Sequence, residues 1–152
     1  MPMPKSVTKY SNKNGVTFTS SVDQANYTIR ELSRAALKDI AKVLRKKIII
    51  KLKKLPGMKK HKRIYSSTQY WVRKKETDLQ IGFKHNAWYG ALQELGGNKQ
   101  PKRSILRDTV FENINEIQEI EAQYLSAVGD KMKAEALINE DEEVGDGKDV
   151  GT

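Results

Sequence analysis

A chain of 152 residues with a net charge of +9, 38% hydrophobic residues and no cysteine has room for one domain with a buried core, and its low apolar share leaves part of it uncovered, disordered or ordered only by partners. The absence of cysteine excludes a disulfide framework and a cysteine metal site, and suits a reducing compartment or a particle indifferent to redox state. No apolar run follows Met1-Pro2-Met3-Pro4-Lys5-Ser6 and none exceeds Ile48-Ile49-Ile50, so neither a signal peptide nor a membrane span is expected.

Residues 1–14 are polar and carry Pro2, Pro4, Asn12 and Asn14, which predicts a flexible arm. Val16-Thr17-Phe18-Thr19 reads as a strand with Phe18 toward the core. Asp23 is the predicted N-cap of a long helix whose apolar positions recur at Ile29, Leu32, Ala36, Ile40, Val43 or Leu44, and Ile48. Pro56-Gly57 ends it, because proline lacks the backbone donor and glycine accepts a left-handed turn. A basic loop over 56–63 leads to a hairpin. Its strands are Ile64–Lys74 and the alternating Leu79-Gln80-Ile81-Gly82-Phe83, joined by the turn Lys75–Asp78.

The stretch Ala87–Gly97 combines Trp88 and Tyr89 with a lone acid, Glu94, and a double glycine, Gly96-Gly97. It reads as the hinge between the hairpin and a last helix. Glu94 is either an exposed turn acid or a partner for Arg103 or for backbone amides, and its apolar frame favours the paired reading. Ser104 is the predicted cap of that helix, with a stripe at Leu106, Val110, Ile114, Ile117, Tyr124 and Val128. The pattern fades after Gly129. The expected fold class is α+β: a small antiparallel sheet, made of the N-terminal strand plus the hairpin, packed by a long basic N-terminal helix and a C-terminal helix. The expected organisation is a flexible arm over 1–14, one α+β domain over 15–130, and a disordered acidic tail over 131–152.

Charge is unevenly placed. Residues 1–107 hold 25 Lys and Arg against 6 Asp and Glu, and residues 108–152 hold 3 against 13. Ten cations, Arg45, Lys46, Lys47, Lys51, Lys53, Lys54, Lys59, Lys60, Lys62 and Arg63, follow one another with no acid between them. They fit contact with nucleic-acid phosphates or with an acidic protein. No helix-turn-helix, zinc finger or aromatic RNA-binding signature accompanies them, so base readout is not expected. Tyr65, Tyr70, Trp71, Trp88 and Tyr89 fit core or subunit-interface positions better than base stacking. His61 and His85 have no nucleophile or acid at catalytic spacing, and Gly96-Gly97 lacks the lysine of a phosphate loop. The chain is read as non-catalytic, with no cofactor and no metal.

Ile81-Gly82-Phe83, Ala87-Trp88-Tyr89-Gly90, Leu92-Gln93-Glu94-Leu95-Gly96-Gly97 and Pro101-Lys102-Arg103-Ser104-Ile105-Leu106 resemble the tail-completion or head–tail joining (neck) proteins of long-tailed phages. The resemblance spans roughly residues 20–130. Ser104 and Ile105 stand where the family has Pro and Phe, and Gly96-Gly97 where it has Gly-Thr. The resemblance implies a structural virion protein, without catalytic activity, that assembles as a ring (a hexamer or dodecamer) between the capsid connector and the tail tube. Its partners would be other copies of itself, connector or adaptor proteins, and tail terminator or tail tube proteins, with non-specific contact to passing double-stranded DNA. Trp88, Tyr89, Glu94, Gly96, Gly97, Pro101, Arg103 and Leu106 would shape the junction, and the basic surface would face a partner or DNA. The charge asymmetry, and not the resemblance, suggests that the acidic tail meets the basic body of an adjacent copy. A tail terminator of the same particle, or a stand-alone basic nucleic-acid-binding protein, are the alternatives.

Overall fold

The computed structural model describes residues 8–11, 15, 17–56 and 64–145. The order is β1 (Thr8–Ser11), β2 (Thr17–Ser20), α1 (Val22–Lys53), a 3-10 turn (Ile64–Ser67), β3 (Thr68–Val72), β4 (Leu79–Phe83), α2 (Trp88–Leu95), α3 (Ile105–Glu112), α4 (Ile114–Ser126) and α5 (Lys131–Gly145). The class is α+β, with the long helix, the hairpin and the later helix in the expected order. The strands form two separate two-stranded sheets, β1–β2 and β3–β4, where one sheet was expected. The chain also divides into two compact units, residues 36–122 and residues 1–35 with 123–152. No proline or glycine marks that division, because α1 runs without interruption through Ala35 and Ala36.

In the unit 36–122, Ile40, Leu44, Ile48 and Leu52 recur every four residues on α1 and form the core with Ile64 and Ile105. Leu79, Ile81 and Phe83, alternate residues of β4, pack on this cluster, as do Tyr65, Tyr89, Leu106, Ile117 and Ile120. The hairpin is antiparallel, with Tyr70 opposite Ile81 and Val72 opposite Leu79. Arg45 Nε donates to the Thr68 carbonyl at 3.0 Å and ties α1 to the start of β3.

The predicted last helix is two helices. Asn113 interrupts it: its N–H bonds the Val110 carbonyl at 3.1 Å, its amide Nδ2 bonds the Thr109 carbonyl at 2.6 Å, and the Ile117 N–H bonds the Asn113 carbonyl at 3.0 Å. The predicted stripe holds in part: Leu106 and Ile117 pack on the core and Tyr124 is buried, whereas Val110, Ile114 and Val128 are exposed and Ile105, Thr109 and Ala127, off the stripe, are buried. Thr109 tolerates burial because its hydroxyl donates to the Ile105 carbonyl at 2.7 Å.

The β3–β4 turn is held by Arg73. Its Nε donates to Asp78 Oδ1 at 2.7 Å, its backbone N–H bonds the Asp78 carbonyl at 3.1 Å, and the guanidinium also pairs with Glu76. The hydrogen bond from Arg73 holds the Asp78 carboxyl below its ordinary value. A depressed folded-state value contributes stability above the unfolded value and loses it as pH falls through the folded one. Carbon-detected NMR is therefore expected to show Asp78 titrating below the usual carboxylate range, and Arg73→Gln is expected to return it to that range.

In the other unit, Thr8–Ser11 pairs antiparallel with Thr17–Ser20, Tyr10 opposite Phe18. Part of the expected arm is thus a strand, and β2 gains a partner the sequence pattern did not offer. The direction of the Phe18 side chain lies outside what is described. α1 begins at Val22, so Asp23 sits in its first turn instead of capping it, and the Ser21 carbonyl accepts the Ala25 N–H at 3.0 Å. Ile29 is exposed, while Leu32 and Ala35 are buried. The tail expected over 131–152 is helical as far as Gly145. Asp130 caps this helix, its Oδ1 accepting the N–H groups of Met132 at 3.1 Å and Lys133 at 3.3 Å. Residues 146–152 lie outside the described residues.

Candidate functional site

The stretch read as a hinge is, over Trp88–Leu95, a two-turn helix. A turn launches it: the Ala87 N–H bonds the Lys84 carbonyl at 2.8 Å and the Gly90 N–H bonds the Ala87 carbonyl at 2.8 Å. Gly90 is buried against Phe83, and a Cβ there would stand 2.5 Å from the Phe83 ring. The bare backbone at Gly90 therefore lets α2 lie directly on β4. Tyr89 turns inward onto the core, whereas Trp88 is 68% exposed and Leu95 72% exposed. The Trp88 and Tyr89 rings meet edge to face, centroids 6.1 Å apart and planes at 77°.

Gly96 stops the helix at φ 83°, its N–H bonding the Leu92 carbonyl at 2.9 Å. Gly97 and Gln100 then exchange backbone bonds of 2.9 and 3.1 Å, a tight loop that turns the chain into Pro101. The returning strap is bonded to α2, Arg103 N–H to the Gln93 carbonyl at 3.0 Å and Ser104 N–H to the Glu94 carbonyl at 3.3 Å.

Ser104 occupies the cap position of α3 in a left-handed conformation, with no side-chain cap bond. Glu94 does that work from α2. Its Oε2 accepts the Leu106 N–H at 3.0 Å and its Oε1 the Arg107 N–H at 3.1 Å. A carboxylate at a helix start satisfies orphan donors and meets the positive end of the dipole. Of the pairings considered for Glu94, the structure has the one with backbone amides, while the Arg103 N–H bonds the Gln93 carbonyl instead. Phe83, Ala87, Trp88, Ala91, Leu95 and Leu106, with Lys84, His85 and Glu94, line an open, largely apolar groove of about 390 Å³.

The basic run divides. Lys47 pairs with Glu116 and with the Asn113 side chain, and Lys51 pairs with Glu112. Lys53 lies over the Tyr65 ring at 5.3 Å, and Arg45 is bonded to Thr68 as above. Lys46, Lys53 and Lys54 are exposed. Lys59, Lys60, Lys62 and Arg63 lie outside the described residues. Acids from α3 and α4, which sequence distance set apart from the basic helix, thus neutralise part of it within one chain. Exposed pairs of this kind are worth about 0–1 kcal/mol. Lys51→Ala is accordingly expected to cost less than about 1 kcal/mol in urea unfolding, and the loss should shrink at high salt.

Among the described residues no group of three or more His, Cys, Asp or Glu could hold a metal ion, and no helix is long and apolar enough to cross a membrane. The molecule so described is a small α+β protein with a rigid helix–strap–helix junction and an exposed aromatic face.

The chain belongs to the bacteriophage HK97 gp10-like family of tail components, whose model matches residues 17–96. The match takes in β2, α1, the hairpin and α2, and ends at Gly96, so Gly97, Pro101, Arg103 and Leu106 fall outside it. The protein is thus a tail component of a phage virion, and its family points to a structural role. Comparison with curated proteins and with solved structures gave no match.

Proposed function

We propose that this protein is a ring-forming tail-completion component that joins the capsid connector to the tail in the neck of a long-tailed phage. Its work is assembly and not catalysis. The observation that carries this reading is the solvent-facing side of α2. Trp88 and Leu95 are exposed on a helix fixed at both ends, by Gly90 against Phe83 and by the strap and Glu94. A large aromatic presented on a rigid element is what protein interfaces use as an anchor. On this reading the partners are other copies of the chain, the connector and the tail terminator or tail tube, and the junction residues Trp88 to Leu106 set the angle at which the anchor is offered. Exposed Lys46, Lys53 and Lys54 would give weak, salt-dependent contact to DNA passing through the ring.

The test is antibody labelling of purified virions under the electron microscope. Label confined to the junction of head and tail is expected. Label spread along the tail, or at its distal tip, would overturn the neck position.

A further inference from the structure

We propose that the α2 groove of one copy receives the ridge Val110, Phe111 and Ile114 of the next, so that the ring closes by head-to-tail contacts; this rests on the ring reading above. Among the described residues, the unit 36–122 exposes Ile50 and Trp71 and, along α2, α3 and the start of α4, two apolar clusters. One is the groove with Trp88 and Leu95, and the other is the ridge, where Phe111 is 60% exposed. Single exposed apolar residues are ordinary, but clusters of them on fixed elements mark contact sites.

Charge decides the pairing. Residues 84–103 hold Lys84, which lines the groove, with Lys99, Lys102 and Arg103, against Glu94 alone, and Glu94 is occupied by the α3 amides. Residues 107–121 hold Asp108, Glu112, Glu116, Glu119 and Glu121 against Arg107 alone, whose guanidinium lies over the Phe111 ring at 5.5 Å. Glu112 and Glu116 are paired with Lys51 and Lys47, and Asp108, Glu119 and Glu121 are exposed on α3 and α4, the helices that carry the ridge. Two grooves face to face would oppose like charges, and so would two ridges. A groove on a ridge buries apolar surface inside a rim of opposite charge. Such a contact joins different faces of identical chains, so it repeats, and it closes into a ring when the rotation allows. The acids that meet a neighbouring copy are therefore those of α3 and α4.

The experiment uses the full chain with Trp88→Glu on the groove and Phe111→Glu on the ridge, each checked for folding by circular dichroism, and reads mass by sedimentation across a concentration series. The wild type is expected to form rings and each variant to remain monomeric. An equimolar mixture of the two is expected to form dimers and stop, because one native groove and one native ridge remain between them. If either variant does not fold, Leu95→Glu or Ile114→Glu takes its place on the same surface. A monomeric wild type, rings formed by either folded variant, or a mixture that stays monomeric would each overturn the proposal. Virion labelling separates the two readings. Label away from the neck with the dimer result intact overturns the position alone, and label at the neck with a monomeric mixture overturns the contact alone.

Discussion

Gly96→Val is expected to lower stability by about 2–5 kcal/mol in urea unfolding, combining the cost of a glycine-only backbone conformation with that of crowding a packed site. Gly96 sits at φ 83°, ψ 170°, and an added Cβ would stand 3.0 Å from the Lys102 backbone nitrogen and 3.2 Å from its Cα. The neighbour is main chain, so it cannot swing aside as a side-chain tip could. Valine adds a branched Cβ to a backbone that disfavours any Cβ. Gly97 makes the control. It is exposed, has ordinary φ, and a Cβ there would meet only the end of Leu92 at 3.5 Å, so Gly97→Ala should change little.

Glu94→Ala is expected to cost about 1–3 kcal/mol, since it strips two backbone donors of a charge-assisted partner at a half-buried helix start. Glu94→Gln should lose less, because one side-chain oxygen can still accept. Urea midpoints of the two variants check the order. Amide hydrogen exchange should accelerate at Leu106 and Arg107 in the alanine variant, with little change in the β3–β4 hairpin. Equal exchange in wild type and variant would remove Glu94 from its capping role.

The legible and illegible parts of this fold separate on physical grounds. The four-residue recurrence of Ile40, Leu44 and Ile48 and the two-residue recurrence of Leu79, Ile81 and Phe83 could be read directly, since each is a local periodicity that burial enforces. The junction was readable as a place but not as a shape. Trp88–Leu95 is too short to show a helical period, and what makes it a helix is tertiary: Gly90 against Phe83 and the strap bonded to Gln93 and Glu94. Local sequence puts the cap of α3 at Ser104, the adjacent position, whereas it comes from Glu94, ten residues earlier in sequence and brought near only by the Gly96–Gln100 turn. α5 leaves little apolar periodicity in the sequence because acids dominate its second half, yet Asp130 and the buried Ala134 mark its start. The basic run looked like a surface awaiting a partner because Glu112 and Glu116 lie more than sixty residues from Lys51 and Lys47. Long-range pairing of that kind leaves no trace in local composition.

The most direct test of the assembly role is electron microscopy of particles made when a phage lacking this protein is supplied with the folded Trp88→Glu variant in its place. Filled heads and finished tails lying apart are expected, with joined virions only when the wild-type chain is supplied. Virions joined as often with the variant as with the wild type would contradict it.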